Sequence, residues 1–546
     1  MTPRTTSDAR PASVLLRRGE IHSPADPFAT AMLVTGDRVA WLGSEAAADA
    51  LADSADETVD LAGALVTPAF TDAHVHTTAT GLALTGLDLG EAPDLDAALA
   101  AVAAYAEGRP ADEVLLGHGW DAARWPERRP PGRAELDRAA GGRPLYLSRV
   151  DAHSALATTA LLDLVPGIAG RAGWAEDQPL TGDAHHAVRR AAYGTLGPRQ
   201  RAEAQRAARN RAAAQGIGAL HECAGPEISS EEDLVALLAL TDAEPGPRVI
   251  GYWAEAVTDP EDVRRIRELG ALGAAGDLFA DGSLGSHTAH LCRPYADAPG
   301  TGVAHLTAEE IATHVAVCTE AGLQAGFHAI GDAAVDTVLR GTRAAAERVG
   351  PDRVRALRHR VEHAELLTDA LIGELVALGM TASVQPAFDA TWGGPDGMYA
   401  ARLGAERAAA LNPFAALARA GVPLAFGSDA PVTPLDPWGA VRAAAHHRTP
   451  AHRISVRAAF TAHTRGGWRA VGRDDAGVLV PGAPADYAVW HTGELLVQAP
   501  DDRVARWSTD PRSGTPGLPD LTPGTPLPEC QRTVVGGQIV YDRLNE

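Results

Sequence analysis

Eight short apolar stretches, each about as long as a β-strand, recur between residues 66 and 429 of the chain. Helix-like segments follow several of them, for example residues 308–321, 333–348 and 368–378. Strands that alternate with helices favour a parallel sheet, and eight such units are the number that closes a barrel. The sequence therefore predicts an α/β fold of the TIM type, a (β/α)8 barrel. Its strands are expected at residues 66–76, 217–220, 248–252, 277–282, 323–327, 360–363, 382–385 and 424–429.

The two ends of the chain have a different pattern. Residues 13–65 alternate short apolar runs with turns, and Gly36-Asp37 marks a hairpin. Strand-like runs also lie at residues 486–490 and 533–541, the second of which contains a Gly-Gly turn. We expect these strands to form one small β-sandwich domain that is built from both chain termini.

These patterns divide the chain into three parts. Residues 1–65 are the N-terminal part of the sandwich, residues 66–455 are the barrel, and residues 456–546 are a helix and the remainder of the sandwich. A mixed segment at about residues 80–215 is expected to be an insertion between the first two barrel strands. Its last part, residues 189–214, is rich in alanine and arginine and predicts a surface helix.

Charge and composition narrow the class of partner. The net charge of -22 argues against nucleic acid and against an anionic membrane. No apolar run reaches the ~18 residues of a membrane-spanning helix, and no signal-peptide core is seen. The four cysteines are scattered without a Cys-x-x-Cys pair, which indicates neither a disulfide framework nor a zinc finger. We expect a cytoplasmic protein whose partner is a small molecule.

The first predicted barrel strand ends in two histidines, His74 and His76. Residues two apart on a strand point to the same side, so both rings can converge on one point. Two imidazoles so placed form half of a metal site. Three later strand ends supply residues of the same ligand type: His328, His363 and Asp429. Either these residues bind a metal together, or they are satisfied polar groups that close the mouth of the barrel.

Two further pairs of residues follow apolar runs inside the insertion. They are His118 with Trp120, and Asp151 with His153. Polar residues just past strand ends are site candidates in α/β proteins. The alternative interpretation is that each pair belongs to a loop that caps a turn.

Residues 68–76, Pro-Ala-Phe-Thr-Asp-Ala-His-Val-His, resemble the first-strand signature of the amidohydrolase superfamily. Further motifs resemble one branch of it, the YtcJ-like group of the amidohydrolase 3 type, which includes N-substituted formamide deformylases. These motifs lie at residues 281–286, 328–332, 361–364 and 427–432, with insertion motifs at 117–121 and 151–153 and a return into the sandwich at 481–486. The resemblance spans almost the whole chain.

The resemblance implies metal-dependent hydrolysis of a non-peptide C–N bond, of the amide or formamide type, in a small molecule. It carries over five residues as ligands of one or two divalent ions, zinc by preference: His74, His76, His328, His363 and Asp429. Asp429 and His363 would act in catalysis, with Asp429 as the base that takes a proton from the attacking water.

One position departs from the pattern of this group. The group usually has a lysine, carbamylated to bridge two metals, where this chain has Asp277. This chain contains no lysine at all, since its 48 Lys and Arg residues are all arginine. Asp277 could bridge two metals as a shorter carboxylate. The site could instead hold one metal, with His363 outside the ligand set. A residue after the second strand, Glu222 or Cys223, could also supply the missing ligand. Side-chain reach favours the single metal.

The substrate pocket is inferred only from the resemblance. An arginine is common at the position of His287, and Trp120 would supply an apolar wall. An N-substituted amide or formamide would suit such a pocket. The residues expected to bind substrate are His118, Trp120, Asp151, His153, Asp281 and His287.

Two other functions remain open at this stage. A hydrolytic deaminase uses a similar single-metal site, and Asp332, four residues after His328, is a weak candidate for its general acid. The loss of the bridging lysine is also compatible with a non-catalytic scaffold that keeps the barrel. Nothing in the sequence selects an interface for a homodimer.

Overall fold

The computed structural model describes residues 12–122, 124–149, 154–498, 507–508 and 515–544. Asp151 and His153 therefore lie outside the described residues. The chain forms two compact units, of which the smaller comprises residues 77–208. The larger contains the chain on both sides of that segment, up to residue 76 and from residue 209 onward.

The larger unit is built around eight parallel strands whose order in the sheet follows their order in the chain. The barrel closes where the Asp429 N–H donates to the His74 carbonyl (2.8 Å) and the His76 N–H donates to the Ala430 carbonyl (3.0 Å). The predicted (β/α)8 fold is confirmed. The first to eighth barrel strands are Phe70–Val75, Ile217–Ala224, Arg248–Trp253, Gly273–Ala274, Gln324–Ala329, Arg360–His363, Thr381–Val384 and Leu424–Phe426.

Local sequence explains why a helix forms between the fourth and fifth strands. The Thr307 hydroxyl accepts from the Glu310 N–H, and the Glu310 carboxylate accepts from the Thr307 N–H. This capping box starts helix Ala308–Ala321, and Gly322, in the left-handed region with φ 70°, ends it. The helix has the bounds that the apolar periodicity predicts.

The fourth strand is shorter and earlier than predicted. It is Gly273–Ala274, and the apolar run at residues 278–280 that suggested a strand is joined to the barrel by a single bridge, Phe279 to His328. Gly276, with φ 88°, turns the chain between the two pieces. As a result, Asp277 lies past the end of a strand, in an irregular segment at the mouth of the barrel.

Both chain termini contribute to two facing sheets, as predicted. One sheet comprises Ser13–Arg17, Ala31–Thr35, Arg38–Gly43 and Glu57–Asp60, and the other comprises Glu20–Ile21, Leu65–Pro68, Tyr487–His491, Glu529–Val535 and Gln538–Asp542. Apolar side chains from both sheets, including Leu16, Met32 and Val489, form one buried cluster. A small third sheet contains Leu495–Gln498, Trp507–Ser508 and Leu518–Pro519.

The remaining helices of the larger unit lie before, between and after the barrel strands in chain order. Near the start of the chain and up to the sixth strand they are Glu45–Ala52, Glu231–Ala243, Pro260–Glu268, Asp332–Val349 and Pro351–Ala356. Beyond that strand they are Asp369–Leu378, Pro386–Trp392, Met398–Leu403, Ala405–Ala408, Phe414–Ala420, Pro437–Ala445, Pro450–His452, Val456–Thr461, Ala462–Gly466 and Gly467–Ala470. Within the described residues, no helix has both the length and the apolar character to cross a bilayer.

The smaller unit has its own four-stranded sheet, formed by Leu87–Asp88, Leu115–Trp120, Leu145–Arg149 and Ala155–Ala157. Its helices are Thr77–Thr85, Leu95–Gly108, Arg133–Ala139, Thr159–Leu162, Ile168–Gly170, Gly182–Gly194 and the first eleven residues of Pro198–Ala214, whose remainder is counted with the larger unit. The single helix predicted at residues 189–214 is therefore two helices. Gly197-Pro198 interrupts the periodic pattern, because proline begins a helix more readily than it continues one.

Candidate metal centre

The first barrel strand places His74 and His76 at its C-terminal end, and both rings are buried. Asp429, three residues past the eighth strand, faces them across the closure of the barrel. Its Oδ1 lies 3.5 Å from His74 Nε2 and 3.1 Å from His76 Nε2. Three of the predicted ligands are therefore brought together by the backbone contacts that close the barrel.

Asp277 lies at the centre of the remaining contacts. Its Oδ1 is 3.5 Å from His74 Nε2, 3.4 Å from His328 Nδ1 and 3.6 Å from His363 Nε2. Its Oδ2 is 3.2 Å from His76 Nε2. One carboxylate thus faces all four histidines. Asp277, which stands where the amidohydrolase-like pattern has a lysine, is thus the residue that contacts most of the candidate ligands.

This donor set fits a divalent metal. Zinc–nitrogen and zinc–oxygen bonds of ~2.1 Å in a tetrahedron place two donor atoms ~3.4 Å apart, and the separations above, 3.1–3.6 Å, are of this size. Among the described residues, the Nε2 atoms of His74 and His363 are buried without a hydrogen-bond partner. Orphaned ring nitrogens that face carboxylates are what a metal site requires before the ion binds.

The outer nitrogens of three rings are held by acceptors, which orients the inner nitrogens. His76 Nδ1 donates to the Cys223 carbonyl at 3.1 Å, and His74 Nδ1 donates to Glu362 Oε2 at 2.9 Å. His363 Nδ1 donates to Gln385 Oε1 at 2.8 Å. Because these acceptors place the proton on Nδ1, each Nε2 is free to act as an electron-pair donor toward the centre.

The fourth ring, that of His328, is turned the other way. Its Nε2 donates to the Gly282 carbonyl at 3.2 Å, which leaves Nδ1 to face Asp277. All four histidines therefore turn toward the same carboxylate the ring nitrogen that loses its proton when the ring becomes neutral, which is the form that binds a metal.

Two of the candidate ligands have strained backbones. His363 has φ 68° and Asp429 has φ 56°, in the left-handed region that residues other than glycine seldom occupy. Such conformations persist only where surrounding contacts enforce them, and they cluster at functional sites. Here they aim two side chains at one point from the ends of the sixth and eighth strands.

The carboxylates and the histidines of the cluster shift one another's pKa values in favour of the charged forms. Burial by itself lowers the pKa of His76, but the Asp277 and Asp429 carboxylates raise it well above 6.5 overall. For His74, burial is likewise outweighed by Cys223 and Asp277, and its pKa is also raised. Burial raises the pKa of Asp277, yet the facing histidines hold that pKa well below its ordinary value. Without an ion, the cluster therefore retains protonated histidines.

Metal binding is expected to weaken as the pH is lowered. The raised pKa values of His74 and His76 mean that these rings hold a proton on Nε2 more readily than ordinary histidines, and a cation must displace it. Affinity should rise with pH until these protons are lost. Calorimetric titration with zinc in two buffers of different ionisation enthalpy measures the protons released. Release of none at neutral pH would contradict the expectation.

The second barrel strand carries the two other residues considered as ligands, Glu222 and Cys223. His221 lies beside Arg360, and Cys223 belongs to a group of potential ligand atoms with His74 and Glu362. Since residues of a strand alternate between its two sides, Glu222 lies on the side opposite to Cys223. Of the two second-strand residues considered, Cys223 is the one that the described residues place in such a group, and a ligand role for Glu222 stays a prediction.

Asp281 and His287 lie in the segment that follows Asp277. The buried carboxylate of Asp281 accepts from the backbone N–H groups of His290, Ile330 and Gly331. It thereby fixes the loop after the fifth strand, and one of its oxygens is 3.9 Å from His328 Nε2. His287, with φ 60°, pairs with Asp297 at 2.9 Å and is half-buried.

Of the substrate residues predicted in the insertion, Trp120 and His118 are described, and both belong to the smaller unit. Trp120 is only 3% exposed, and its Nε1 donates to the Leu147 carbonyl in an apolar cluster. Within that unit the ring packs in this cluster, and its part in binding substrate stays a prediction. His118 is more exposed, with Nε2 3.1 Å from the Ala83 carbonyl.

Sequence reasoning missed the residues that orient the ligands, chiefly Arg360, Glu362 and Gln385. A signal for two of them is present in the sequence. Arg360 and Glu362 are two apart on a strand that is buried throughout, so two charges share one face of a buried strand. Charges in such a place are retained only when they are paired, and a pair beside a histidine ligand suggests a supporting role.

Comparison with known proteins gives consistent matches. The model of the family described as "Amidohydrolase family" matches residues 57–541. The chain is 28% identical to the protein LONG AFTER FAR-RED 3 of Arabidopsis thaliana, over 88% of this chain and 87% of that protein. It is 27% identical to the putative amidohydrolase YtcJ of Bacillus subtilis, over 89% of this chain and 91% of that protein.

Two further matches come from a shorter segment and from a solved structure. The N-substituted formamide deformylase of Arthrobacter pascens is 33% identical over 139 residues, which is 25% of this chain and 26% of that enzyme. The crystal structure of an uncharacterized metal-dependent hydrolase from Pyrococcus furiosus superposes with a TM-score of 0.73 and 27% identity, over 87% of this chain and 98% of that one.

Proposed function

The chain belongs to the amidohydrolase family, and from this premise we propose that it is a metal-dependent hydrolase of a non-peptide C–N bond. The match to the family model confirms the resemblance identified in the sequence. The proposed substrate is a small molecule with an amide or formamide group. The observation that carries the proposal is the convergence of His74, His76, His328 and His363 on Asp277, with Asp429 beside the first two.

These six side chains would hold one or two ions. When bound there, a divalent cation supplies a Lewis acid for the carbonyl oxygen and makes a water molecule more acidic. Zinc is the proposed ion because imidazole and carboxylate are its common ligands. His363 is assigned to the ligands and not to proton donation, because its Nδ1 proton is held by Gln385 and its Nε2 carries the free electron pair.

Asp429 is the proposed base. Its carboxylate is held at the end of the eighth strand, where its pKa lies below the ordinary value: burial raises that pKa, and the neighbouring His76, His74 and His363 together lower it by more. An ionised carboxylate can take the proton from the attacking water as oxygen adds to the carbonyl carbon. It can then return that proton to the nitrogen that leaves as an amine. The products are a carboxylic acid and an amine.

The choice of an amide or formamide over other C–N bonds rests on similarity. The deformylase of Arthrobacter pascens, by its name, acts on N-substituted formamides, and it is 33% identical to part of this chain. The family name points to the same class of bond. These observations support the substrate class and leave the N-substituent to experiment.

Removal of metal is expected to abolish hydrolysis, and return of zinc, cobalt or manganese is expected to restore it. Protein dialysed against a chelator would be tested on a panel of N-alkyl and N-aryl formamides, acetamides and cyclic amides, with amine release as the readout. His491→Asn, at an exposed position of the sandwich, is a control that should behave like the parent protein.

Two results would overturn the proposal. Metal-loaded protein that hydrolyses no member of the panel would favour a scaffold that has kept the barrel. Release of ammonia from ring amines, with no cleavage of amides, would favour a deaminase.

A further inference from the structure

A pair of opposite charges, Arg360 and Glu362, lies fully buried inside the barrel beneath the candidate ligands. Both are on the sixth strand, two residues apart and on the same face. Arg360 Nε donates to Glu362 Oε1 at 2.5 Å, and Arg360 Nη2 donates to Oε2 at 2.9 Å. This two-point geometry is the strongest form of such a pair, and it fixes the plane of the carboxylate.

The arginine is held by several other strands. Its Nη2 donates to the Ala73 carbonyl at 2.6 Å and to Ser383 Oγ at 2.9 Å, on the first and seventh strands. Its Nη1 donates to His221 Nδ1 at 3.3 Å, and the guanidinium lies 4.7 Å from the ring centre of Tyr252. The guanidinium therefore joins five strands of the barrel and has little freedom to move.

Glu362, held in place by Arg360, in turn fixes the orientation of a candidate ligand, His74. Glu362 Oε2 accepts from His74 Nδ1 at 2.9 Å, so the Nδ1 proton is fixed. The opposite nitrogen, His74 Nε2, then points at Asp277 and Asp429, 3.5 Å from a carboxylate oxygen of each. A negative acceptor behind the ring also makes Nε2 a better electron-pair donor.

We propose that Arg360 and Glu362 are positioning residues that hold His74 in the orientation and tautomer required to bind the metal. Arg360 orients Glu362, and Glu362 orients the imidazole. The inference rests on the proposed metal centre, and it does not depend on which bond the protein cleaves. A purely structural pair would stabilise the barrel and leave metal affinity unchanged.

The test is the zinc affinity of Glu362→Gln, measured by competition with a chromophoric chelator, without substrate. The amide keeps the shape of the side chain and removes its charge, and one of its two positions must present N–H to a donor. Affinity is expected to fall about 10- to 100-fold, the usual effect of losing such a partner. Substitution of cobalt(II) should give an altered visible spectrum, because the geometry around His74 changes.

Glu347→Gln, the same change at an exposed position of helix Asp332–Val349, is the matched control and should keep the parent affinity and spectrum. Parent affinity and an unchanged cobalt spectrum in Glu362→Gln would overturn the proposal. Absence of hydrolysis by the parent protein, with these metal effects present, would instead count against the proposed function alone.

A second measurement uses the parent protein, in case Glu362→Gln does not fold. In zinc-loaded protein labelled with ¹⁵N-histidine, NMR spectra report which ring nitrogen of His74 carries a proton, and His74→Asn assigns the signal. A protonated Nδ1, protected from exchange with water, is expected. A proton on Nε2, or an Nδ1 proton that exchanges freely, would overturn the proposal.

Discussion

Asp277→Asn is expected to reduce metal affinity by more than ~100-fold and to abolish hydrolysis, since even a residue that only supports a ligand contributes 10- to 100-fold. Asp277 faces all four histidines at 3.2–3.6 Å. An asparagine of nearly the same shape lacks the negative charge that a cation needs among four neutral rings. Elemental analysis of both proteins, purified without chelator, measures the effect.

Asp242→Asn, at an exposed position of helix Glu231–Ala243, is the control and should retain the parent metal content. A full complement of metal in Asp277→Asn would show that Asp277 lies outside the ligand set. The metal content of the parent protein decides between the alternatives for the missing lysine. Two ions per chain would mean that Asp277 or a second-strand residue, Glu222 or Cys223, takes the place of the bridging lysine, and one ion would mean a single-metal site.

Asp429→Asn is expected to lower kcat by about 10²- to 10⁴-fold, with a smaller change in KM, because general base catalysis contributes that much. The carboxylate stands 3.1 Å from His76 and is the one proposed to move the proton from water to the leaving nitrogen. An amide can still offer an oxygen to an ion, but it accepts no proton at neutral pH. Steady-state kinetics on the best substrate of the panel, expressed per bound metal, give both constants.

The pH profile adds a second check on Asp429. In the parent protein, kcat/KM per bound metal should fall on the acid side as the base is protonated, and this limb should be missing from the residual activity of Asp429→Asn, also expressed per bound metal. A variant whose activity per bound metal equals that of the parent would assign the loss to metal binding and remove Asp429 from the proton transfer.

The barrel, the two-ended sandwich and the set of candidate ligands were open to prediction from the sequence because each depends on local patterns. Apolar runs, helix caps and residues two apart on a strand are visible without tertiary information. His74 and His76 illustrate this, since strand geometry alone places both rings on one side. The carboxyl ends of parallel strands then bring distant residues to one edge.

Other features depend on contacts that no local pattern contains. The contacts of Asp277 depend on Gly276, which ends the regular structure before the apolar run at residues 278–280, so that the aspartate enters the centre from a loop. The sequence marks Trp120 as an aromatic residue past an apolar run, but it does not show that its Nε1 donates to a carbonyl in a buried cluster. The pairing of Glu362 with His74 joins two strands far apart in the chain.

The hydrogen bonds between the first and eighth strands, from Asp429 to His74 and from His76 to Ala430, also bear on how the molecule folds. They join the two ends of the barrel sequence, and contacts of such long range form slowly and late. The candidate ligands lie on both sides of the junction between the first and eighth strands, so an ion has its full set of donors only after these two strands have paired. By mass action, the free metal concentration then helps to determine the fraction of the protein in which the barrel is closed.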